Sequence, residues 1–410
     1  MQNKIRDNDA QILVRYVISF LLVCLSIKFF FFNPIFADAN AFFVAGRRVL
    51  NGELDQLYAN ISGSGPFIYL PHTSPVFALI SIFAGGGPYI SFNPYSGFSF
   101  LALIYMVLHI TKERSDSTLI LLGNMALVTL FFAHMIWESV YIGQIDLILV
   151  LAAYLGCFTT KARWVVAMSL AWIIKPPLII FSVISLKTKR AGKVFLIFLV
   201  SNISLFFLYW LISNQSFYSL VELIINRLEH LYNMGYSFKH AVIDQSFFGL
   251  VGRVFNSDFV GGRYWPELFQ ARTYPIFWKL LDAQTIKSIH TAVCFFSLCF
   301  IAWSFRRANS QQLFGLVSSL IPTVTSLFWH VHIVWMIPAF LILSTKYLEL
   351  GDYRSLKLLM WTGILLLVSN HFLFGPRVAD IVLAFGSNYL FSVGLVLLYI
   401  RDIRLNDKVL

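Results

Sequence analysis

Charge is scarce in this chain. Asp, Glu, Lys and Arg make up 12% of its 410 residues while hydrophobic residues make up 58%, against the roughly 25% charged residues of a water-soluble domain. A soluble nucleic-acid binder is therefore not what the net charge of +11 indicates, and the distribution of that charge over the loops carries the information. Cysteine is as sparse: Cys24, Cys157, Cys294 and Cys299 each sit inside an apolar run without redox or ligand spacing, so they read as core residues. No phosphate loop is present, because Gly85-Gly86-Gly87 has neither a strand before it nor a Gly-Lys-Ser/Thr ending. Asp7-Asn8-Asp9 spells D-x-D, but no βαβ pattern follows it, which removes it as a nucleotide-sugar site. Segments of alternating polarity, which a membrane β-barrel needs, are missing as well.

Long apolar runs replace them, at 12–33, 95–111, 118–136, 143–159, 162–175, 177–187, 193–213, 284–305, 312–328, 332–346, 356–374 and 380–400. They are continuous and rich in Leu, Ile and Phe, so the expectation is an all-α polytopic membrane protein with about twelve transmembrane helices. Residues 12–33 exceed a signal-peptide core and no small-residue cleavage motif follows, so this run stays as an anchor. A shorter run, 74–86, ends in Gly85-Gly86-Gly87-Pro88 and reads as interfacial or re-entrant.

With the N-terminus in the cytoplasm, Lys112/Arg114, Lys161/Arg163, Lys187/Lys189/Arg190/Lys193, Arg306/Arg307, Lys346/Arg354/Lys357 and Arg401/Arg404/Lys408 fall on one side. With the leader, that side holds 19 basic and 8 acidic residues, a positive-inside pattern that counting 74–86 as a span would invert. Both termini are then cytoplasmic, and two long segments, 34–94 and 214–283, are external. Without repeats or a low-complexity linker, residues 1–410 read as one domain, with short interfacial helices in its first external loop.

Several polar groups converge on the outer face: Asp38, the stretch His134 to Glu138, Gln144 and Asp146 in "YIGQID", Lys175 in "IIKPP", Gln245 and Arg253 in "DQSFFGLVGR", and His330 and His332 in "FWHVHIVW". Ionisable groups at that depth are costly unless they face protein or water, which points to a polar cavity opening outward. Each has a plainer reading. Asp38 is placed to cap a helix from Ala39 to Leu50 that Asn51-Gly52 ends, which is compatible with a role as a base because a helix N-terminus favours the ionised carboxylate. Lys175 either snorkels to a headgroup or lines a cavity, and the two prolines after it favour a broken, cavity-lining helix. His330 and His332 are too close for one-turn helical spacing and have no nearby Cys or carboxylate in sequence, so they read as hydrogen-bonding groups, with no metal site expected. Phe328, Trp329 and Trp335 read as an interfacial belt.

The ordered set of motifs resembles the GT-C membrane glycosyltransferases, specifically the polyprenyl-phosphate-mannose-dependent α-mannosyltransferases of glycosyltransferase family 87. It comprises Asp38, Phe42-Phe43, Gly52 and Tyr58, then "FIYLPHTSP", "GQID", "KPP", "DQSFFGLVGR" and "WHVHIVW". Departures fall at Leu70-Pro71, where a Pro-Pro pair is expected, and at Val331, which separates the two histidines.

The resemblance implies a GT-C-like fold and an inverting transfer of a hexose, with mannose expected, from a polyprenyl-phosphate donor. The acceptor it implies is a lipid-linked or cell-envelope glycan on the external face of a bacterial inner membrane. It further implies Asp38 as catalytic base; by their charge and hydrogen-bonding chemistry, Lys175, Arg253, His330 and His332 are the candidates for the donor phosphate, and Gln144, Asp146, Gln245, Tyr69 and Arg48 those for sugar or acceptor. No cofactor, metal or nucleic acid is implied. A multi-span transporter or flippase, an oligosaccharide polymerase and an acyltransferase are the competing classes.

Overall fold

A backbone crossing lipid must satisfy its own N–H and C=O groups, and continuous Leu, Ile and Phe runs do so as helices. The computed structural model describes residues 20–22, 24–33, 35, 37–59, 67, 69–86, 91–159, 161–213, 215–237, 244–255, 281–326 and 328–407. Among these the architecture is α-helical. A short antiparallel pairing joins Gly85–Gly86 to Ser91–Phe92, after the ten-residue helix Ser74–Phe83.

Pro94–Lys112, Thr118–Tyr141, Ala191–Ser213, Ala283–Arg307 and His330–Leu350 are long and apolar enough to cross a bilayer. Tyr353–Val368 and His371–Ala384, bent by 83°, make a sixth if taken as one broken span. Other runs among the expected twelve form shorter helices. Asp146–Phe158 and Ala162–Ile174 have 13 residues each, about 20 Å of helix against a hydrocarbon core of about 30 Å. No residue of Asp146–Phe158 is exposed, so its surroundings are protein and its length need not match lipid. The first expected span lies partly outside the described residues, which begin at Phe20.

These short helices run between two distinct ends of the bundle. At one end, Arg190 Nη1 donates to Cys157 O (3.4 Å), Lys187 Nζ to Phe305 O (2.5 Å) and Gln312 Nε2 to Asp402 Oδ2 (2.7 Å), and Lys346 pairs with Asp402. Asp146, Lys175 and His332 meet at the other end. Toward the first of these ends, Asn124 Nδ2 donates to Thr111 Oγ1 (2.9 Å) and Thr345 Oγ1 (2.7 Å) while its Oδ1 accepts from Ser344 Oγ (2.7 Å), so a buried amide joins three helices with its polar atoms satisfied. The outer wall is apolar: 83% of the most hydrophobic window of His330–Leu350 is buried but only 6% of that of Ala191–Ser213, which therefore sits at the periphery.

Above the site end, helix Ala37–Leu50 packs on Ser74–Phe83. Gly46 allows the crossing, since a Cβ there would lie 2.2 Å from Ser81 Oγ and 2.6 Å from Phe77 O. The segment after residue 214 supplies helices Phe217–Ser237 and Phe247–Phe255. Arg227 of the first donates to Phe67 O (3.0 Å) and lies 4.4 Å from the Tyr58 ring, tying the two segments together.

Candidate functional site

The site is organised by the turn that ends helix Thr118–Tyr141. Gly143 has φ +77°, and Gln144 N donates to Ser139 O (2.8 Å), which closes the helix in the left-handed turn that glycine adopts without strain. That turn presents Ile142 O to Ala39 N at 3.0 Å, satisfying one of the N–H groups that the first turn of helix Ala37–Leu50 cannot bond internally. The approach is close enough that a Cβ on Gly143 would lie 2.2 Å from Ala39 Cβ. Asp38 is thereby fixed beside Gln144. The helix begins at Ala37 rather than Ala39, so Asp38 occupies its first turn instead of capping it.

Helix Ala162–Ile174 stops because Pro176 and Pro177 cannot continue its hydrogen bonds, and Lys175 leaves the helical conformation (φ −123°, ψ 89°). Its side chain turns inward and is only 7% exposed, which excludes snorkelling to a headgroup. The ammonium lies 2.5 Å from Asp146 Oδ1, 3.2 Å from His332 Nε2 and 3.5 Å from Gln144 Oε1, and 5.3 Å from the centre of the Trp335 ring. His332 is stacked between Trp329 (5.9 Å) and Trp335 (5.2 Å). These tryptophans enclose the imidazole, which corrects their reading as an interfacial belt.

Donor and acceptor rules set the directions. An ammonium only donates, so Gln144 turns its Oε1 to Lys175, and this leaves its NH₂ for Asp38 Oδ2, with which it makes a short hydrogen bond. Asp38 is the acceptor and carries no proton on that oxygen. His332 Nε2 faces the Lys175 ammonium at 3.2 Å and Asp146 Oδ2 at 3.5 Å. Tyr69 belongs to the same centre: burial, then the charges of Asp146 and Asp38, push its phenol well above its ordinary pKa and keep it a donor.

A sequence profile of glycosyltransferase family 87 matches residues 67–329, more than half of the chain. The chain belongs to glycosyltransferase family 87. Neither a curated protein nor a solved structure matches it. The family makes the protein a glycosyltransferase, an enzyme that acts on a sugar donor and an acceptor. The matched span contains Tyr69, Gln144, Asp146, Lys175, Gln245 and Arg253, and leaves Asp38, Arg48, His330 and His332 outside it.

In this family 87 enzyme the remaining candidates occupy other positions. Arg253 is fully buried and donates to Ala384 O through Nε (3.0 Å) and to Asp244 O through Nη1. Gln245, also fully buried, donates to Leu383 O (2.8 Å), and its N–H bonds Phe328 O (2.7 Å). Asp244 pairs with Trp329 in an isolated bridge and accepts from Phe328 N (3.0 Å), so this group braces the backbone that carries His330 and His332. His330 faces away from His332, with Nε2 2.5 Å from Glu138 Oε2, and Asn388 Nδ2 donates to its carbonyl (3.2 Å). Arg48 donates to Ala59 O (2.9 Å); ten residues along the helix from Asp38, it is displaced by about 15 Å. His371 and Asn388, both at this end, lie in apolar stretches with no motif around them in the sequence.

Proposed function

We propose that this enzyme is an inverting transferase that moves a hexose, mannose first among them, from a polyprenyl-phosphate sugar to a glycan acceptor on the external face of the membrane, with Asp38 as the general base. The observation that carries the reading is the ordered chain Lys175, Gln144, Asp38, in which the Gln144 amide donates to Asp38 Oδ2 and so presents an unprotonated carboxylate oxygen. A base must begin in that state to take the acceptor hydroxyl's proton as the oxygen attacks the anomeric carbon opposite the phosphate.

The sugar phosphate of a lipid donor sits at headgroup level, and on this reading Asp38 and the turn that carries Gln144 lie at that level on the external side. The leaving phosphate needs charge stabilisation more than a proton, and Lys175 is the cation of this centre that supplies it, with the neutral His332 imidazole beside it as a hydrogen-bonding group. Arg253 and His330 are assigned a supporting part, because the described contacts of their side chains go to main-chain carbonyls and to Glu138. Gln144, Asp146 and Tyr69 position the sugar. The basic residues gather at the opposite end of the bundle, which by the positive-inside rule faces the cytoplasm.

The test presents purified protein in nanodiscs with polyprenyl-phosphate mannose, other polyprenyl-phosphate hexoses and nucleotide sugars, together with a membrane-glycan extract as acceptor. Consumption of a lipid-phosphate sugar with inversion at C1, read by NMR of the product, is the expected result. Transfer from a nucleotide sugar, or block-wise lengthening of a lipid-linked chain, would overturn the assignment in favour of a different donor class or a polymerase.

A further inference from the structure

Beside the transfer centre, on the far side of His330, lies a second cluster with no part in the proposed mechanism. His134 and Glu138 are one turn apart on helix Thr118–Tyr141 and so share a face. The bend between Tyr353–Val368 and His371–Ala384 brings His371 against them from a distant part of the chain. His134 Nε2 lies 3.3 Å from Glu138 Oε1 and 2.8 Å from His371 Nδ1, and His371 Nδ1 lies 3.9 Å from Glu138 Oε1. The side chains of His134, Glu138 and His371 are 2%, 10% and 20% exposed.

Two facts distinguish this arrangement from a hydrogen-bonded row of side chains. First, His134 Nε2 faces both neighbours, yet one ring nitrogen either carries a proton or offers a lone pair. A single proton on this nitrogen bridges one of those two pairs, whereas a cation at the centre meets all three atoms at once. Second, a triangle with these sides has a circumradius of about 2.0 Å, so a single point lies one Zn–N or Zn–O bond length from every vertex. The other oxygen of the carboxylate, Glu138 Oε2, is bonded by His330 Nε2 at 2.5 Å, the outer-shell support that ligating carboxylates have.

The geometry points to a divalent transition-metal site formed by His134, Glu138 and His371, with His330 as its outer-shell partner. Imidazole and carboxylate ligands suit Zn²⁺ and its neighbours over Mg²⁺ or Ca²⁺, which prefer oxygen alone. The ion binds beside the transfer centre and acts through position: it anchors Glu138, which holds His330, two residues before His332 in the turn His330–Met336.

Full-length protein freed of its affinity tag, stripped with chelator and reconstituted with Zn²⁺ or Co²⁺ in detergent, tests this by elemental analysis and by the visible absorption of Co²⁺. About one ion per chain is expected, with Co²⁺ bands of nitrogen and oxygen ligation. His371→Ala, at a partly exposed position, and Glu138→Gln should each reduce bound metal to background. His330→Phe should weaken it by roughly 10–100-fold. Asp38→Asn should bind the ion at the wild-type level, so that failure of this site and failure of the transfer mechanism are told apart. Wild-type protein that takes up neither ion, or stoichiometry unchanged in both ligand variants, would overturn the proposal. If a ligand variant does not fold, X-ray absorption on the Co²⁺ wild type decides, and a shell without imidazole counts against it.

Discussion

Gln144 has a single allowed orientation between an ammonium and a carboxylate, and that orientation is what makes Asp38 a candidate base rather than a capping group. Replacing Gln144 with Leu removes the donor to Asp38 and should lower kcat by about 10²-fold or more while leaving the fold in place, measured as turnover of the lipid-phosphate donor at saturation. Lys175 has a larger structural stake. Lys175→Met leaves Asp146 buried without its cation, which should cost about 3–5 kcal/mol and appear as a lowered Tm. Asp146→Asn in the same chain should recover part of that loss, and no recovery would mean that the pair is not the source. The sequence discloses Lys175 through the two prolines that stop its helix, and Gln144 and Asp146 through one short motif. It discloses Arg253 only as a cation: its engagement by the carbonyls of Asp244 and Ala384 depends on a chain 131 residues away, which no local pattern encodes.

Helices as such are legible because continuous apolar runs in lipid have no other way to satisfy their backbones. Their lengths are less so, because a helix such as Asp146–Phe158, enclosed by protein, is released from matching the bilayer. The same burial explains the tryptophans of "FWHVHIVW": spacing suits a membrane belt, whereas the 3₁₀ turn His330–Met336 sends His330 and His332 to different partners and stacks Trp329 and Trp335 on His332. Gly143 is the turn on which two helices depend. Gly143→Ala places a Cβ against Ala39 at φ +77°. The left-handed conformation alone costs about 1–2 kcal/mol in a residue with a Cβ, and the clash should shift Asp38, so both Tm and transfer rate should fall. Unchanged transfer in Gly143→Ala would show that the contact between Gly143 and Ala39 does not set Asp38.

The bundle separates a basic end from a polar end, and the proposed orientation makes a simple labelling prediction. In a cysteine-free chain within intact cells, an impermeant maleimide should label Ser216→Cys, which is exposed just beyond the site-side end of Ala191–Ser213, and should miss Glu349→Cys at the basic end until the membrane is opened. The reverse pattern would place the site in the cytoplasm and remove an external lipid donor. Asp38 lies outside the span matched by the family profile, so the base is tested in its own right. The decisive measurement is the single-turnover rate of purified Asp38→Asn chain in nanodiscs with a polyprenyl-phosphate sugar that the wild type consumes, alongside Tm and donor binding. Transfer reduced to background with Tm and binding retained is the outcome that the carboxylate mechanism requires; transfer near the wild-type rate would contradict it.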